Sequence, residues 1–354
     1  MERIRGYIIE TALKEIDRFI SFLKSSGEAG QKAEPGKTRI GGLRASSRAF
    51  VLSRAFIEIG RPLIIFTPDS KRSEDMARDL GFFIGSSKQI YSFPSYGLPP
   101  YHESSPSPEA IHQRLSCLLA LCSSVPIIVV SSIEACLRRT IPCDIFLSYV
   151  VSLTKGCKTE LEALARSLLE GGYAHVNTVE SAGEFAVRGG IVDIFPPSRP
   201  FPVRLELEGD RVASLRGFDP DTQRSTEEIQ EVLVPPAREV VLNEESLACG
   251  EENLKQLSDE MDLARRKREE IWEVLRSPET GLQENFLPIF YSLPGSLLDY
   301  LPSSSLVVID DRRAVEESAG ELLRNAAERH KKAAAQRPLP SSDSLFISFE
   351  EFSG

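Results

Sequence analysis

The sequence predicts an α/β fold: a parallel sheet with helices on both faces, interrupted by a smaller β-rich α+β insert. Three observations predict it. Short apolar runs, PLIIFTPD at 62–69, PIIVVSS at 126–132 and SLVVIDD at 305–311, are separated by helical stretches. That is the pattern of strands buried on both faces of a sheet. Between the second and third runs, beyond about Pro142, the pattern changes to strict alternation around glycine turns, the mark of small antiparallel strands. Finally, 354 residues that are 41% apolar and 27% charged suffice for more than one buried core.

Along the chain, Ile9, Leu13, Ile16, Ile20 and Leu23 recur at helical spacing and predict a helix over 7–24. The polar, Gly- and Ser-rich stretch SSGEAGQKAEPGK reads as an exposed loop. A second helix over Ser46–Ile59 is apolar on most sides and therefore expected to be buried. Further helices are expected at 70–80 and 108–122. In the middle of the chain, FAVRGGIVDIFPP (185–197) reads as strand, glycine bend, strand. VRLELEGDRVASLR (203–216) reads as a hairpin about Gly209-Asp210. Leu254, Leu257, Met261, Ala264, Ile271 and Leu275 mark the buried stripe of one helix over 251–276, and 305–311 is expected as a buried parallel strand. The mostly polar, Pro-containing tail from Lys331 to Ser344 reads as a linker. The expected division is 1–142 and 234–335 as two parts of one α/β domain, 143–233 as the insert, and 336–354 as linker or the start of another segment.

Composition excludes several classes of function. The net charge is −10 and the isoelectric point about 5.2, with Lys and Arg dispersed among acidic residues, which counts against a DNA-wrapping scaffold. The six cysteines (117, 122, 136, 143, 157 and 249) contain no C-x-x-C pair, and the four histidines are scattered. They are expected to be reduced thiols, mostly core residues, with no metal site. No apolar run reaches the roughly 20 residues that cross a bilayer, and the first residues lack a signal-peptide core. A cytoplasmic protein with no membrane partner is expected.

The loop before the second helix reads Gly42-Leu43-Arg44-Ala45-Ser46-Ser47-Arg48-Ala49. A working phosphate-binding loop reads G-x-x-x-x-G-K-[ST]. Its second glycine lets the backbone close on phosphate, its lysine reaches the β- and γ-phosphates and its hydroxyl holds Mg²⁺. Here those positions are Ser47, Arg48 and Ala49, and an alanine ligates no metal. The run SLVVIDDRR has the form of the acidic strand that completes such a site. Asp310 and Asp311 are followed by Arg312 and Arg313, where helicase-type ATPases carry Asp-Glu-x-His. Both halves are degraded, so catalytic residues are expected to be absent, since phosphoryl transfer depends on positioned charge.

Three stretches then carry a resemblance: GLRASSRAFVLSRAFIEIGRPLIIFTPD, FPSYGLPPYHESSPSPEAIHQRLSCLLAL, and GEFAVRGGIVDIFPPSRPFPVRLELEGDRVASLRGFDPDTQRS. Together they resemble the N-terminal, UvrB-like module of the bacterial transcription-repair coupling factors (Mfd). The most specific stretch, 183–225, is shared with UvrB of nucleotide excision repair, whereas 93–121 points to the coupling factors. UvrB's working phosphate loop and the long Tyr-rich hairpin that follows it are missing here. The resemblance implies a RecA-like domain with a degenerate phosphate loop and no ATPase activity, and an inserted domain that binds UvrA. It also implies that the ATP- and Mg²⁺-using DNA translocase motor and the RNA-polymerase-binding domain lie in parts of the family's chain absent here. Those distal parts mask the UvrA-binding surface. RNA polymerase and DNA are then reached only through them, and this segment uses no cofactor.

By the same resemblance the UvrA-binding surface lies around the GEF-x-x-RG motif, on Glu184, Phe185, Arg188 and Gly189, with His175 nearby. Arg188 is either a charged anchor or a solvated residue of the bend. Phe185 is either an aromatic anchor or core, and Gly189 serves chiefly backbone freedom. The chain has Ala174-His175 where the family often carries another arginine after Gly-Tyr, and Ala186 where UvrB carries one. Two functions follow: a non-catalytic module recruiting UvrA to stalled RNA polymerase, or a UvrB-like ATP-dependent enzyme processing damaged DNA.

Overall fold

The structure is a computed structural model that describes residues 14, 16–21, 23, 38–277 and 280–353. Residues 16–21 are helical, within the helix expected over 7–24. Most of that helix, and the SSGEAGQKAEPGK loop, lie outside the described residues.

A four-stranded, wholly parallel sheet forms the first layer, built from β1 (Leu63–Thr67), β2 (Ile90–Phe93), β3 (Ile128–Ser132) and β12 (Leu306–Ile309) in the order β12-β1-β3-β2. Alternation along β1 divides its side chains between the two faces. Leu63 and Ile65 pack with Ala49, Leu52 and Phe56 of helix Ser46–Ile59 and Met76 and Leu80 of helix Ser70–Ile84. Ile64 and Phe66 face the larger core, with Ile111, Leu115 and Leu118 of helix Pro108–Leu121 and Val315 and Ala319 of helix Arg312–Ala333. The helices start where their caps dictate. Asp69 accepts from Arg72 N at 2.8 Å, and Ser107 accepts from Ala110 N ahead of a proline in the first turn.

The insert forms a second unit. Its six-stranded sheet runs β10 (Ser225–Glu228), β9 (Arg211–Phe218), β8 (Val203–Glu208), β7 (Ile191–Ile194), β6 (Glu184–Arg188), β5 (Ala174–His175). It is antiparallel except for the short parallel pair of β5 with β6. Helix Leu161–Glu170 covers one face through Leu164 and Leu168. The chain enters along β4 (Val151–Thr154) and leaves along β11 (Glu231–Val234), and these pair antiparallel with Val151 opposite Val234. The insert therefore stands on a stem made of its own two ends.

The insert rests on helix Pro108–Leu121. Ser116 Oγ donates to Pro197 O at 2.9 Å. A Cβ built on Gly183 would lie 3.1 Å from His112 Nε2, so the imidazole is pressed against the insert's backbone. Beneath them Arg114 and Glu239, both fully buried, form a bidentate pair. Arg114 also donates to Pro94 O at 3.1 Å, and its guanidinium lies 3.9 Å above the Phe93 ring. Thr140 Oγ1 donates to the second Glu239 oxygen.

Four expectations need correction. The helix expected over 251–276 is two, Glu244–Glu260 and Arg265–Leu275. Leu263 N bonds back to Ser258 O at 2.9 Å and Asp262 takes a left-handed φ of 51°, which ends the first helix. Met261 and Ala264 thus leave the buried stripe. β12 is an edge strand with Val307 49% exposed, because pairing with β1 fills only one of its sides. The tail over 336–354 is not a free linker in its described part. Leu345, Phe346 and Ile347 are buried, Ile347 N donates to Leu137 O, and the Phe352 ring meets Phe66 edge-on at 5.0 Å. Of the six cysteines only Cys117 and Cys136 are buried.

Candidate functional site

The loop that opens helix Ser46–Ile59 is closed by its own side chains. Ser47 Oγ donates to Arg44 O at 2.7 Å and accepts from Arg44 N at 2.8 Å, spanning the turn that a second glycine would leave open. Gly42 has φ 85°, and Ala45 is forced to φ 45°, a region that costs a Cβ-bearing residue. Arg48 Nη1 donates to both carboxylate oxygens of Asp310, at 2.6 and 2.7 Å. Asp310 is 8% exposed and is held at the end of β12 by its backbone bond to Phe66 O. The sequence brought these two residues together as relics of one site, and the structure joins them. The Arg48 guanidinium thus neutralises the Asp310 carboxylate. Ala49 is buried among Leu52, Phe56 and Leu63. Asp311 is spent as the cap of helix Arg312–Ala333, accepting from Ala314 N, and faces Arg72 at 3.4 Å.

On the insert, the β6–β7 hairpin sorts the candidate residues by strand alternation. Phe185 and Val187 face helix Leu161–Glu170, and Phe185 is 1% exposed among Leu164, Tyr173, Ile194 and Leu205. As an aromatic anchor for a partner Phe185 is therefore corrected to core. It supports the surface indirectly, since the exposed His175 ring stacks on it at 4.8 Å. Ala186, Asp193, Arg204 and Arg216 lie in register across four strands on the opposite face. Glu184 Oε2 accepts from the backbone N–H groups of Glu180 and Ser181, at 2.8 and 2.9 Å, and so ties down the loop before β6.

Arg188 is 52% exposed and donates one N–H to Asp193 Oδ2 at 2.7 Å. Asp193, 1% exposed, also accepts two bonds from Arg204, at 2.6 and 2.9 Å. Arg204 lies 4.6 Å over the Phe218 ring. One buried carboxylate thus fixes two guanidinium groups and leaves a net positive charge at the surface. Sequence reasoning missed Asp193 and Arg204. Their signal was an acid inside an apolar alternating strand, which cannot be buried without a cation. Gly189 takes φ 62° with open space about it. Gly190 is the sterically constrained partner, since a Cβ there would lie 2.9 Å from Leu207 O.

Residues 151–240 match the model of the UvrB interaction domain family. This range begins with the first stem strand and ends just past the second, so the match falls on the inserted unit and not on the α/β platform. Over most of its length the chain is similar to transcription-repair-coupling factors. It is 30% identical to that of Myxococcus xanthus over 86% of the chain and 26% of the relative. It is 29% identical to that of Bacillus subtilis over 90% of the chain and 28% of the relative, and 29% identical to that of Haemophilus influenzae over 81% and 25%. These likenesses support reading the chain as similar to the UvrB-like module of the transcription-repair coupling factors. The chain spans about a quarter of the length of these relatives. Among the described residues no helix is long and apolar enough to cross a membrane.

Proposed function

We propose that this module is a non-catalytic adaptor that binds UvrA through its insert and so recruits excision repair to stalled RNA polymerase. The observation that carries the reading is the coincidence of the UvrB interaction domain match with a separately folded sheet presenting Arg188 at its tip. An arginine half held by a buried aspartate is oriented, yet keeps donors free for a partner, and such pre-ordering lowers the cost of association. His175 on its Phe185 base adds a flat, polar contact beside it. The remaining distal domains of a full-length protein mask this surface until polymerase and DNA engage them. All of these partners are part of the proposal.

The α/β platform, on this reading, uses neither ATP nor Mg²⁺. The Arg48–Asp310 pair takes the charges both would need, and Ala49 offers no oxygen to a metal. Isothermal titration of the chain with purified UvrA tests the adaptor reading. Saturable binding supports it, with affinity falling at least tenfold in Arg188→Ala. No association would refute it. The same calorimeter tests the UvrB-like enzyme alternative, which requires heat of binding for ATP with Mg²⁺.

A further inference from the structure

The loop between β9 and β10 is wound around Asp219 and Gln223. Asp219 Oδ1 accepts from Asp221 N and Thr222 N, both at 2.9 Å. Gln223 N donates to Asp219 O at 2.8 Å, and Asp219 N donates to Arg224 O at 3.0 Å. Gln223 itself takes φ 59°, a region that costs a residue with a Cβ. Its main-chain oxygen accepts from Arg204 Nη1 at 3.2 Å. Its amide nitrogen donates to Pro220 O at 2.7 Å, inside the loop, and to Val179 O at 3.0 Å, outside it. Carbonyl oxygens only accept, so these two partners fix which way the amide faces. Val179 lies in the loop between β5 and β6, fully buried in one apolar cluster with Ala186, Phe195 and Phe218. Glu184 ties down the same loop through Glu180 N and Ser181 N. Gln223 therefore joins the two loops that border the face carrying Arg188. It is also the third hold on Arg204, whose other two hydrogen bonds go to Asp193.

We propose that Gln223 is a positioning residue for UvrA association, acting through Arg204 and Asp193 on Arg188. The inference rests on the adaptor reading above and adds to it a residue that need not touch the partner. Asp193 Oδ2 is shared: it accepts from Arg204 Nη2 at 2.9 Å and from Arg188 Nη2 at 2.7 Å. Whatever turns the Arg204 guanidinium therefore turns the carboxylate that orients Arg188. The bond to Gln223 O stops that turn, and the bond from the Gln223 amide to Val179 O keeps the carbonyl in place. Without the amide, the loop loses its tether to the β5–β6 loop and Arg204 keeps only its bonds to Asp193. Arg188 must then be ordered at the moment of contact, which subtracts from affinity. The strained φ of Gln223 is consistent with this role, since such a conformation persists only where the surroundings hold it.

The test compares two variants. Gln223→Met keeps the side-chain length and removes both amide donors. Gln223→Gly removes the side chain and relieves the left-handed backbone. NMR of the arginine Nε–H groups in the 354-residue chain follows Arg204 without any partner, its signal identified by its loss in Arg204→Lys. Both variants are expected to fold, with Arg204 Nε–H exchanging with water about fivefold faster and UvrA affinity falling about fivefold, the effect of one lost hydrogen bond. Added to Arg188→Ala, Gln223→Met is expected to cause no further fall in affinity. Unchanged exchange at Arg204 in a folded variant overturns the proposal, as does a loss that adds in full to that of Arg188→Ala. Unfolding of both variants would make Gln223 a residue of stability alone and overturn it too. Absence of UvrA binding by the wild-type chain would refute the adaptor reading instead, and the exchange rates would still decide the hold on Arg204.

Discussion

Arg48 and Asp310 lie 262 positions apart in sequence and share two hydrogen bonds of 2.6 and 2.7 Å. One stands on the helix that a nucleotide loop would open and the other at the tip of the neighbouring edge strand. The pair has become a clasp between the two ends of the α/β domain. Arg48→Ala leaves Asp310 buried without its cation and is expected to cost about 1–3 kcal/mol, moderated because Arg48 is partly solvated. In urea denaturation the double variant Arg48→Ala/Asp310→Ala should lose less than the sum of the two single losses.

Arg188 and Phe185 should separate function from stability. Arg188→Ala removes an exposed partner and is expected to cost less than about 1 kcal/mol of stability while weakening UvrA association. Phe185→Ala hollows the insert core and is expected to cost about 3–5 kcal/mol. Thermal melts beside binding titrations distinguish the two. Strong binding by a folded Arg188→Ala variant would sink the assignment of Arg188.

Asp193→Ala should be worse tolerated than Arg188→Ala, although neither the sequence motif nor the surface displays it. Arg204 is largely buried and would lose both its bonds to the carboxylate, keeping only that to Gln223 O, at a cost of about 3 kcal/mol. Asp193→Ala/Arg204→Met should recover much of that loss, read by the denaturation midpoint.

His112 gives a pH dependence. Burial, and secondarily the charge on Arg238, lower its pKa from 6.5 to about 4. The folded protein thus resists protonating it. Its contribution to stability is whole above pH 6.5 and is lost as pH falls toward 4, because the unfolded chain takes up the proton first. The full effect is about 3 kcal/mol. His112→Asn should flatten the stability–pH curve across that window relative to wild type. An unchanged slope would show that His112 is not buried against the insert.

How much of this was legible depended on whether a residue's partners were local. Helix Ser46–Ile59, the 203–216 hairpin and the 185–197 strand pair were readable because periodicity and two-residue turns are short-range signals. The breaks were not. Asp262 ends a helix within an unbroken apolar stripe, and an acidic residue in left-handed conformation leaves no mark in periodicity. Phe185 was ambiguous for a related reason: alternation fixes which residues share a face but not which face is covered. The departures from a working phosphate-loop pattern were visible at Ser47, Arg48 and Ala49. That Arg48 turns upon Asp310 is a contact across the whole chain, as is the docking of Phe346 and Phe352 from a tail that reads as polar.

The stem formed by β4 and β11 has a consequence for how this chain folds. Because Val151 lies opposite Val234, the host domain meets the insert as it would meet a tight hairpin. Closing so long a loop carries an entropic cost that grows only with the logarithm of its length. Once the stem zips, that cost is met inside the insert and not by the parallel sheet. β3 and β12 can then find β1 without waiting for the insert's six strands, and the order in which the two cores form becomes free. Chain synthesis can therefore complete the insert first, while the edge strand that finishes the host has yet to appear.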